Sequence, residues 1–357
     1  MKALIAMSGG VDSSVAAKLI ADAGYECVGC TMKLYDNADA GLPKEGTCCA
    51  LTDSEDARSV CYRLGIDHHT VSFEADFRDK VIGDFISAYE RGETPNPCIE
   101  CNRHLKFDRL RKLAAMLGCG YIATGHYARI SCENGEYRLM KAADERKDQS
   151  YVLYNLTQET LSHVIFPLGD LTKSDVRTIA DEAGLVTAHK RESQDICFVP
   201  DGDYAAAIER LGGIKSEPGD YIDKNGHILG RHKGVIHYTI GQHKRLGLVQ
   251  SSPLYVTGID PAENTVTLGD ESDLFSDTCR VRDVNWISGK PPAGAFRCSV
   301  KARYRQTEQP AVVEPLSDGG AAVRFDLPQR ALTPGQSAVF YDGVTVIGGG
   351  KITKGAE

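Results

Sequence analysis

The segment from Ala3 to Ser14 constrains the fold more than any other part of the sequence. The aliphatic run Ala3-Leu-Ile-Ala-Met7 predicts a strand. It ends in the string SGGVDSS, which leads into an apolar repeat of helical period. In such a strand-turn-helix junction the glycines let the backbone approach a ligand closely, and the helix N-terminus adds positive potential. We therefore expect this loop to cradle a polyphosphate.

The side chains of the loop add to this prediction. Ser8, Ser13 and Ser14 can donate hydroxyl hydrogen bonds, and Asp12 is placed to hold Mg²⁺ against the phosphates. A bare pair of glycines would favour a tight turn with serine capping, but the full SGGVDSS string is much more specific. It lacks the ending of a Walker loop and the glycine spacing of a dinucleotide site, so neither of those sites is predicted.

Strands and helices alternate through roughly the first 200 residues, which implies a parallel α/β sheet. Strands are expected at 2–7, 25–33, 69–73 and 121–124, and helices at 12–23, 53–64, 77–91, 107–117 and 173–183. Later apolar runs are short and separated by turns such as Asn225-Gly226 and Asp342-Gly343. The sequence thus predicts an α/β domain over 1–203, a β-rich domain over 204–272 and a small β-barrel over 273–357.

The composition limits the class of protein. Hydrophobic residues make up 42% and charged residues 25%, which is typical of a soluble globular chain and excludes a disordered or fibrous one. Neither a membrane helix nor a signal peptide is recognisable, so we expect a cytoplasmic protein that does not associate with membranes. Because that compartment is reducing, burial, metal binding or sulfur chemistry is expected of the 12 cysteines, rather than a disulfide scaffold.

Three cysteines have chemically suggestive surroundings. Cys98 and Cys101 follow Pro95 and Pro97, which hold the chain extended, and they precede a predicted basic helix. A helix N-terminus and nearby cations lower the pKa of a thiol, and the resulting thiolate is a nucleophile or a metal ligand. Cys197 lies in a polar run that follows two basic residues.

The other cysteines are interpreted as structural. Cys27 and Cys30 would point to opposite faces of one strand, which favours burial over metal binding. Cys48 and Cys49 are adjacent, and adjacent residues rarely bind one metal together. Single packed or incidental thiols are expected at Cys61, Cys119, Cys132, Cys279 and Cys298.

Several motifs together resemble a known family. SGGVDSS resembles the PP-loop of the ATP pyrophosphatases. With TPNPxxxCN at 94–102, ATGHYA at 123–128, KDQSY at 147–151 and SQDICF at 193–198, the whole chain is similar to the MnmA family of tRNA-specific 2-thiouridylases. The resemblance implies ATP-dependent 2-thiolation of the wobble uridine of tRNA, with 1–203 as the PP-loop catalytic domain and 204–272 contacting the tRNA. It also implies Mg²⁺ and a sulfur donor protein, such as a cysteine desulfurase or a sulfur carrier.

The resemblance also assigns residues. It implies that Cys197 carries a persulfide and that Cys101 is its partner thiol. ATP contacts are assigned to Ala6, Met7, Ser8, Gly9, Gly10, Val11, Asp12, Ser13, Met32 and Gly125. Contacts to the anticodon stem-loop of tRNA are assigned to Asn96, Pro97, Cys98, His126, Lys147, Asp148, Gln149, Arg303, Tyr304 and Gln336.

The sequence departs from the common family pattern at Cys98, where many members have an acidic residue proposed as a general acid or base. A thiol here raises a second hypothesis, in which Cys98, Cys101 and Cys197 hold a [4Fe-4S] cluster with one open iron. Two further readings stay open: another PP-loop adenylating ligase, and a non-catalytic RNA-binding protein.

Local charge agrees with an RNA substrate although the net charge is −8. Three segments are rich in cations, at 103–112, 226–247 and 297–305, and the last two contain no acidic residue. Any one of them could be a solvated face, but three beside the expected site suit contacts to phosphates. Tyr304 stands between Arg303 and Arg305, where it can stack on a base or sugar.

Overall fold

The structure, a computed structural model, describes residues 1–35, 50–191, 196–248 and 252–353. The strands of the described residues are, in chain order, β1 (Lys2–Ala6), β2 (Glu26–Lys33), β3 (Asp67–Ser72), β4 (Tyr121–Ala123), β5 (Ala128–Glu133), β6 (Glu136–Lys141), β7 (Val164–Ile165), β8 (Gly219–Ile222), β9 (Ile228–His232), β10 (Tyr255–Asp260), β11 (Thr265–Gly269), β12 (Phe275–Trp286), β13 (Phe296–Lys301), β14 (Gln309–Pro315), β15 (Ala321–Arg330), β16 (Ser337–Asp342) and β17 (Thr345–Ile352).

The α-helices over the same residues are α1 (Val11–Asp22), α2 (Ala50–Leu64), α3 (Glu74–Phe77), α4 (Gly83–Glu90), α5 (Pro97–Glu100), α6 (Leu110–Met116), α7 (Gln158–Leu161), α8 (Lys173–Glu182) and α9 (Tyr204–Gly212). A π-helical segment, Arg78–Ile82, joins α3 to α4, and a second one, Cys101–Arg109, joins α5 to α6. Short 3₁₀ turns lie at Ser150–Leu153, Val235–His237 and Glu271–Leu274.

The N-terminal sheet confirms the predicted parallel α/β architecture. Its strand order is β3-β2-β1-β4-β7, and every pairing in it is parallel. Because β1 and β4 are neighbours, the loops that follow them emerge side by side at the carboxyl edge of the sheet. Ligands of open α/β sheets bind at this edge.

Apolar side chains cover both faces of this sheet. One core cluster contains Leu4, Cys30 and Phe77, and the other contains Ile5, Val15 and Cys61. Cys30 packs in the first cluster and Cys27 against the second, so the prediction that these two thiols face opposite ways is confirmed. Alternation along the strand puts successive side chains on different faces.

The middle and C-terminal parts are β-rich, as predicted. Strands β8 to β11 form a four-stranded sheet in the order β10-β11-β8-β9. Six later strands, in the order β12-β15-β14-β13-β16-β17, close into an antiparallel barrel through the pairing of β12 with β17. The hairpin β5–β6, which belongs to the N-terminal part of the sequence, extends the barrel sheet by pairing with β17.

A shared apolar core joins the barrel to the N-terminal part. Leu139 and Tyr151 pack in one cluster with Val339, Tyr341 and Val346 of the barrel. The buried Tyr151 hydroxyl donates a hydrogen bond of 2.8 Å to the backbone oxygen of Ser337. None of the helices in the described ranges is long and apolar enough to cross a membrane.

Candidate active site

One large cavity runs from the glycine-rich loop to the barrel. Its volume is about 1890 Å³. The loop Met7–Gly10, the thiols Cys98, Cys101 and Cys197, and residues 304–308 of the barrel part all line it. The structure thus places the predicted nucleotide residues and the predicted thiols in one continuous space.

The glycine-rich loop is built so that backbone approaches backbone. Gly9 has a φ of +73°, and a Cβ on it would lie 2.2 Å from the backbone oxygen of Asp53. A Cβ on Gly125, in the loop after β4, would lie 2.8 Å from the backbone nitrogen of Ser13. Both positions therefore need glycine, and the two loops meet as the parallel strand order requires.

Hydrogen bonds within the loop hold it open at the start of α1. The Ser13 hydroxyl donates to the Gly10 backbone oxygen at 3.0 Å and accepts from the Ser8 backbone N–H at 3.2 Å. The Ser14 hydroxyl donates to the same Gly10 oxygen and accepts from Thr187 at 2.9 Å. This cradle faces the cavity at the positive end of α1, which suits a phosphate chain.

Asp12 is the acidic group of the loop. Its Oδ1 atom accepts from the Lys173 ammonium at 2.7 Å and from the Tyr127 hydroxyl at 2.8 Å. In the part of the chain that the structure describes, no group of three or more His, Cys, Asp or Glu side chains is arranged to hold a metal ion. A Mg²⁺ ion that takes most of its ligands from phosphates and water still fits one carboxylate, and the protein ligand would be Asp12.

The helix that carries Cys98 and Cys101 begins at Pro97. Asn96 caps it, since its side-chain oxygen accepts from the Cys98 backbone N–H at 3.1 Å. Helical structure continues through the π-helical segment into α6, so Cys101 lies inside a long helix and is only 8% exposed. Burial raises the pKa of the Cys101 thiol to about 11, although the nearby Lys106 acts to lower it. The expectation that a helix N-terminus depresses this pKa is therefore wrong, because desolvation dominates.

Neighbouring residues hold Cys197 at the cavity wall. Its backbone oxygen accepts from the Tyr35 hydroxyl at 2.8 Å, and the next side chain, Phe198, packs edge-on against Phe77 and Phe85. The residue is exposed to the cavity, yet the atoms crowded around it withdraw the thiol from bulk water. This desolvation raises its pKa to about 12. Negative charge on Cys101 and Cys98 acts in the same direction, and Lys106 opposes it.

The three thiols face one cavity but do not form a cluster site. No metal-holding group is present among the described residues, which include all three cysteines. Cys101 and Cys197 are not joined by a disulfide either. The arrangement does not fit the [4Fe-4S] hypothesis. Cys48 and Cys49 lie outside the described residues.

The predicted tRNA contacts divide into two groups. Pro97, Cys98, His126, Lys147, Asp148, Gln149 and Tyr304 line the cavity. Asn96, Arg303 and Gln336 do not line it. The Arg303 guanidinium donates to the backbone oxygen of Ala331 and to Thr333, and the Gln336 amide donates to the Thr94 backbone oxygen at 2.7 Å.

Comparison with known proteins identifies the family. The chain matches three family models: the tRNA methyl transferase HUP domain over 1–201, the tRNA methyl transferase PRC-barrel domain over 211–270 and the Aminomethyltransferase beta-barrel domain over 276–352. It is 47% identical to the tRNA-specific 2-thiouridylase MnmA of Magnetococcus marinus, with 98% of each chain covered. The proteins of the same name from Acetivibrio thermocellus and Clostridioides difficile are 47% and 46% identical, over 98% and 99% of this chain and 99% and 98% of theirs. The chain belongs to the tRNA-specific 2-thiouridylase family.

Many cations of this 2-thiouridylase-family chain are engaged in local ion pairs. In the first basic segment Arg109 pairs with Asp76, Arg111 with Glu159 and Lys112 with Asp108. In the other two segments Arg231 pairs with Asp220, and Arg297 with Asp326. Cationic residues that line the cavity include Lys106, Lys147, Lys301 and Arg305.

Sequence reasoning missed several polar residues that line this cavity or lie beside it. Lys173 and Tyr127 hold Asp12, and Lys190 pairs with Asp53 and Asp56 beside the glycine-rich loop. Lys173 is far from Asp12 in the sequence, and no local pattern signals their contact. Lys106 lies only five positions after Cys101, but in a regular α-helix its side chain would point away from that thiol.

Proposed function

We propose that this chain is a tRNA-uridine 2-sulfurtransferase that uses ATP to replace the C2 oxygen of the wobble uridine with sulfur. One observation carries the proposal: the glycine-rich loop and the thiols of Cys101 and Cys197 line the same cavity. The family relatives, named as tRNA-specific 2-thiouridylases, support the choice of substrate. A nucleotide and a flipped-out base can meet the two thiols there without crossing bulk solvent.

The first step activates the base. The C2 oxygen of uridine attacks the α-phosphorus of ATP, pyrophosphate leaves, and O2 becomes part of an adenylate that can depart as AMP. The loop amides and the N-terminus of α1 bind the phosphates. Mg²⁺, if bound at Asp12, would neutralise phosphate charge. Lys173 fixes the Asp12 carboxylate through their ion pair.

The second step transfers sulfur from a persulfide on Cys197, by one of two routes. The terminal sulfur attacks C2 directly and AMP leaves, after which the Cys101 thiolate attacks the Cys197 Sγ atom and frees the 2-thiouridine. Alternatively, Cys101 attacks first and releases hydrosulfide, which then attacks C2. Either route ends in a Cys101–Cys197 disulfide. A thiol reductant resets it, and a persulfide-bearing donor protein supplies the next sulfur.

The barrel side of the cavity supplies groups suited to RNA. The Lys301 ammonium lies 5.8 Å from the ring centre of Tyr304 and 6.0 Å from that of Tyr151. Arg305 is exposed and lines the cavity beside them. Cations next to an aromatic face can contact phosphates while a base stacks.

A reconstituted reaction tests the proposal. The purified full chain, ATP, Mg²⁺, unmodified tRNA, a persulfide-loaded cysteine desulfurase and a thiol reductant should yield pyrophosphate and 2-thiouridine, measured by mass spectrometry of tRNA nucleosides. Cys101→Ser and Cys197→Ser should release pyrophosphate but form no 2-thiouridine. Cys132→Ser is the matched control, because Cys132 is an exposed thiol away from the cavity, and it should keep wild-type turnover.

The same assay separates the competing functions. An adenylating ligase would release pyrophosphate equally in the wild type and in both cysteine variants, and none of the three would form 2-thiouridine. A non-catalytic RNA-binding protein would release no pyrophosphate in response to tRNA. Either result overturns the proposed sulfur transfer.

A further inference from the structure

Lys106 lines the cavity together with Cys98, Cys101 and Cys197, and the reaction described above gives it no role. It lies on the π-helical segment Cys101–Arg109. Within the described residues its ammonium has no carboxylate partner. Its hydrogen-bonding neighbour is the Nε2 atom of His126, at 3.4 Å.

Cys101 and Lys106 both line the cavity, and the π-helical segment explains how one helix presents both to it. In an α-helix, with about 3.6 residues per turn, residue i+5 lies roughly 140° around the axis from residue i. A π-helix closes each turn on residue i+5, so the fifth residue returns to the same face. Helical side chains also lean toward the N-terminus, which carries the Lys106 ammonium back toward the Cys101 turn.

His126 holds the ammonium in this position. The imidazole is buried, and burial followed by the charge of Lys106 lowers its pKa well below its ordinary value, so it is neutral. Its Nδ1 atom lies 2.7 Å from the Thr124 hydroxyl oxygen. With the proton on Nδ1 donated to Thr124, Nε2 is an acceptor for Lys106. Rings of Phe107 and Phe166 pack around the imidazole and fix its plane.

We propose that Lys106 is the cation that stabilises anionic sulfur as it passes between Cys197 and Cys101, with His126 as its positioning residue. This inference rests on the proposed sulfur transfer. Both thiols are desolvated, and a desolvated thiolate or persulfide anion needs a nearby positive charge. Lys106 opposes the rise in the pKa of both Cys101 and Cys197, so one ammonium serves the donor and the acceptor sulfur.

Alkylation of the individual cysteines tests this role without ATP, tRNA or turnover. The full chain is treated with iodoacetamide at one pH near neutrality, and the rate at each cysteine is measured by peptide mass spectrometry. Lys106→Met should slow alkylation of Cys197 and Cys101 by about three- to tenfold, since one unit in thiol pKa changes the thiolate fraction tenfold. Lys106→Arg, which keeps the positive charge, should retain most of the wild-type alkylation rate. Exposed Cys132 serves as an internal reference and should not change.

Two further variants keep the test decisive. Lys112→Met removes an exposed cation paired with Asp108 on the same long helix and should leave the alkylation rates at the wild-type level. Lys106→Gln replaces Lys106→Met if the methionine variant does not fold. If a folded variant without the Lys106 charge is alkylated at the wild-type rate, the proposed role of Lys106 is overturned, whatever the activity of the enzyme. Absence of 2-thiouridine from the wild-type reaction overturns the proposed function and leaves the alkylation comparison intact.

Discussion

At the end of the cavity proposed to bind the nucleotide, one short stretch, Ala6–Ser13, lines the wall without a gap, whereas the thiol end is assembled from α5, the π-helical segment that follows it, the segment around Cys197 and the barrel. The first end uses backbone N–H groups and close approaches between loops. The second uses side chains that contact one another across long sequence separations, such as Tyr304 donating to the Asp148 backbone oxygen at 3.4 Å. Changes at the first end should therefore act through loop geometry, and changes at the second through the docking of the barrel.

The largest effect is expected from Gly9→Ala. Gly9 has a φ of +73°, and a Cβ added there would lie 2.2 Å from the Asp53 backbone oxygen. The loop would have to move to accommodate it. We expect ATP binding, measured by calorimetry, to be lost. Gly24→Ala is the matched control, because Gly24 also has a positive φ but nothing lies within 4 Å of its Cβ. It should cost about 1 kcal/mol of stability and leave ATP affinity unchanged. Equal ATP affinity in both variants would contradict the close-approach argument.

Asp12→Asn should have the next largest effect. The substitution keeps a side-chain oxygen for Tyr127 but removes the charge that pairs with Lys173 and that would hold Mg²⁺. We expect tRNA-dependent pyrophosphate release to fall on the order of 100-fold. Affinity for tRNA, measured by filter binding, should stay at the wild-type value. A parallel loss of tRNA affinity would argue that Asp12 supports the thiol end as well.

The same contrast explains what could be predicted from sequence. The glycine-rich loop is contiguous, so its strand, turn and helix were predictable, and so was the parallel sheet around it. The position of Cys101 within the helix was not, because the helix begins at Pro97 and burial outweighs the helix terminus. Nor were the partners of Asp12, or the local pairing of cations such as Arg109 and Arg297, because these depend on contacts that only the fold brings about.

Lys351→Met tests the docking of the barrel against α5, the helix that carries Cys98. The Lys351 ammonium of β17 lies 3.0 Å from the nearly buried Glu100 carboxylate, which also faces His104 at 3.2 Å. Burial alone would raise the pKa of Glu100, but His104, Lys351 and Arg103 together lower it to about 2. We expect the substitution to lower the free energy of unfolding at neutral pH by about 3 kcal/mol. Lys18→Met, in an exposed pair with Asp22, should cost less than about 0.5 kcal/mol.

The difference in stability between wild type and Lys351→Met should depend on pH with a definite sign. Because the pKa of Glu100 is lower in the folded state than its ordinary value of 4.5, its stabilising effect is complete above that pH. It is lost as the pH falls from there toward 2. Urea unfolding should therefore show wild type and Lys351→Met converging in stability as the pH falls through this range. A constant difference across the range would show that Lys351 acts by packing alone.

The smallest effect is expected from Lys301→Met. Comparison with Arg297→Met distinguishes a cation that lines the cavity from a cation of the same basic segment that already has an acidic partner. The Lys301 ammonium lies over the rings of both Tyr151 and Tyr304 and lines the cavity, where it can contact a phosphate, although burial lowers its pKa from the ordinary value. The variant should bind tRNA about three- to tenfold more weakly, with the slope of log affinity against log salt reduced by about one. Arg297→Met is the control, because Arg297 already pairs with Asp326 away from the cavity, and it should change neither value. If both variants weaken tRNA binding equally, the net charge of the barrel attracts the RNA. Lys301 at the cavity would then be no more important for tRNA binding than a cation away from it.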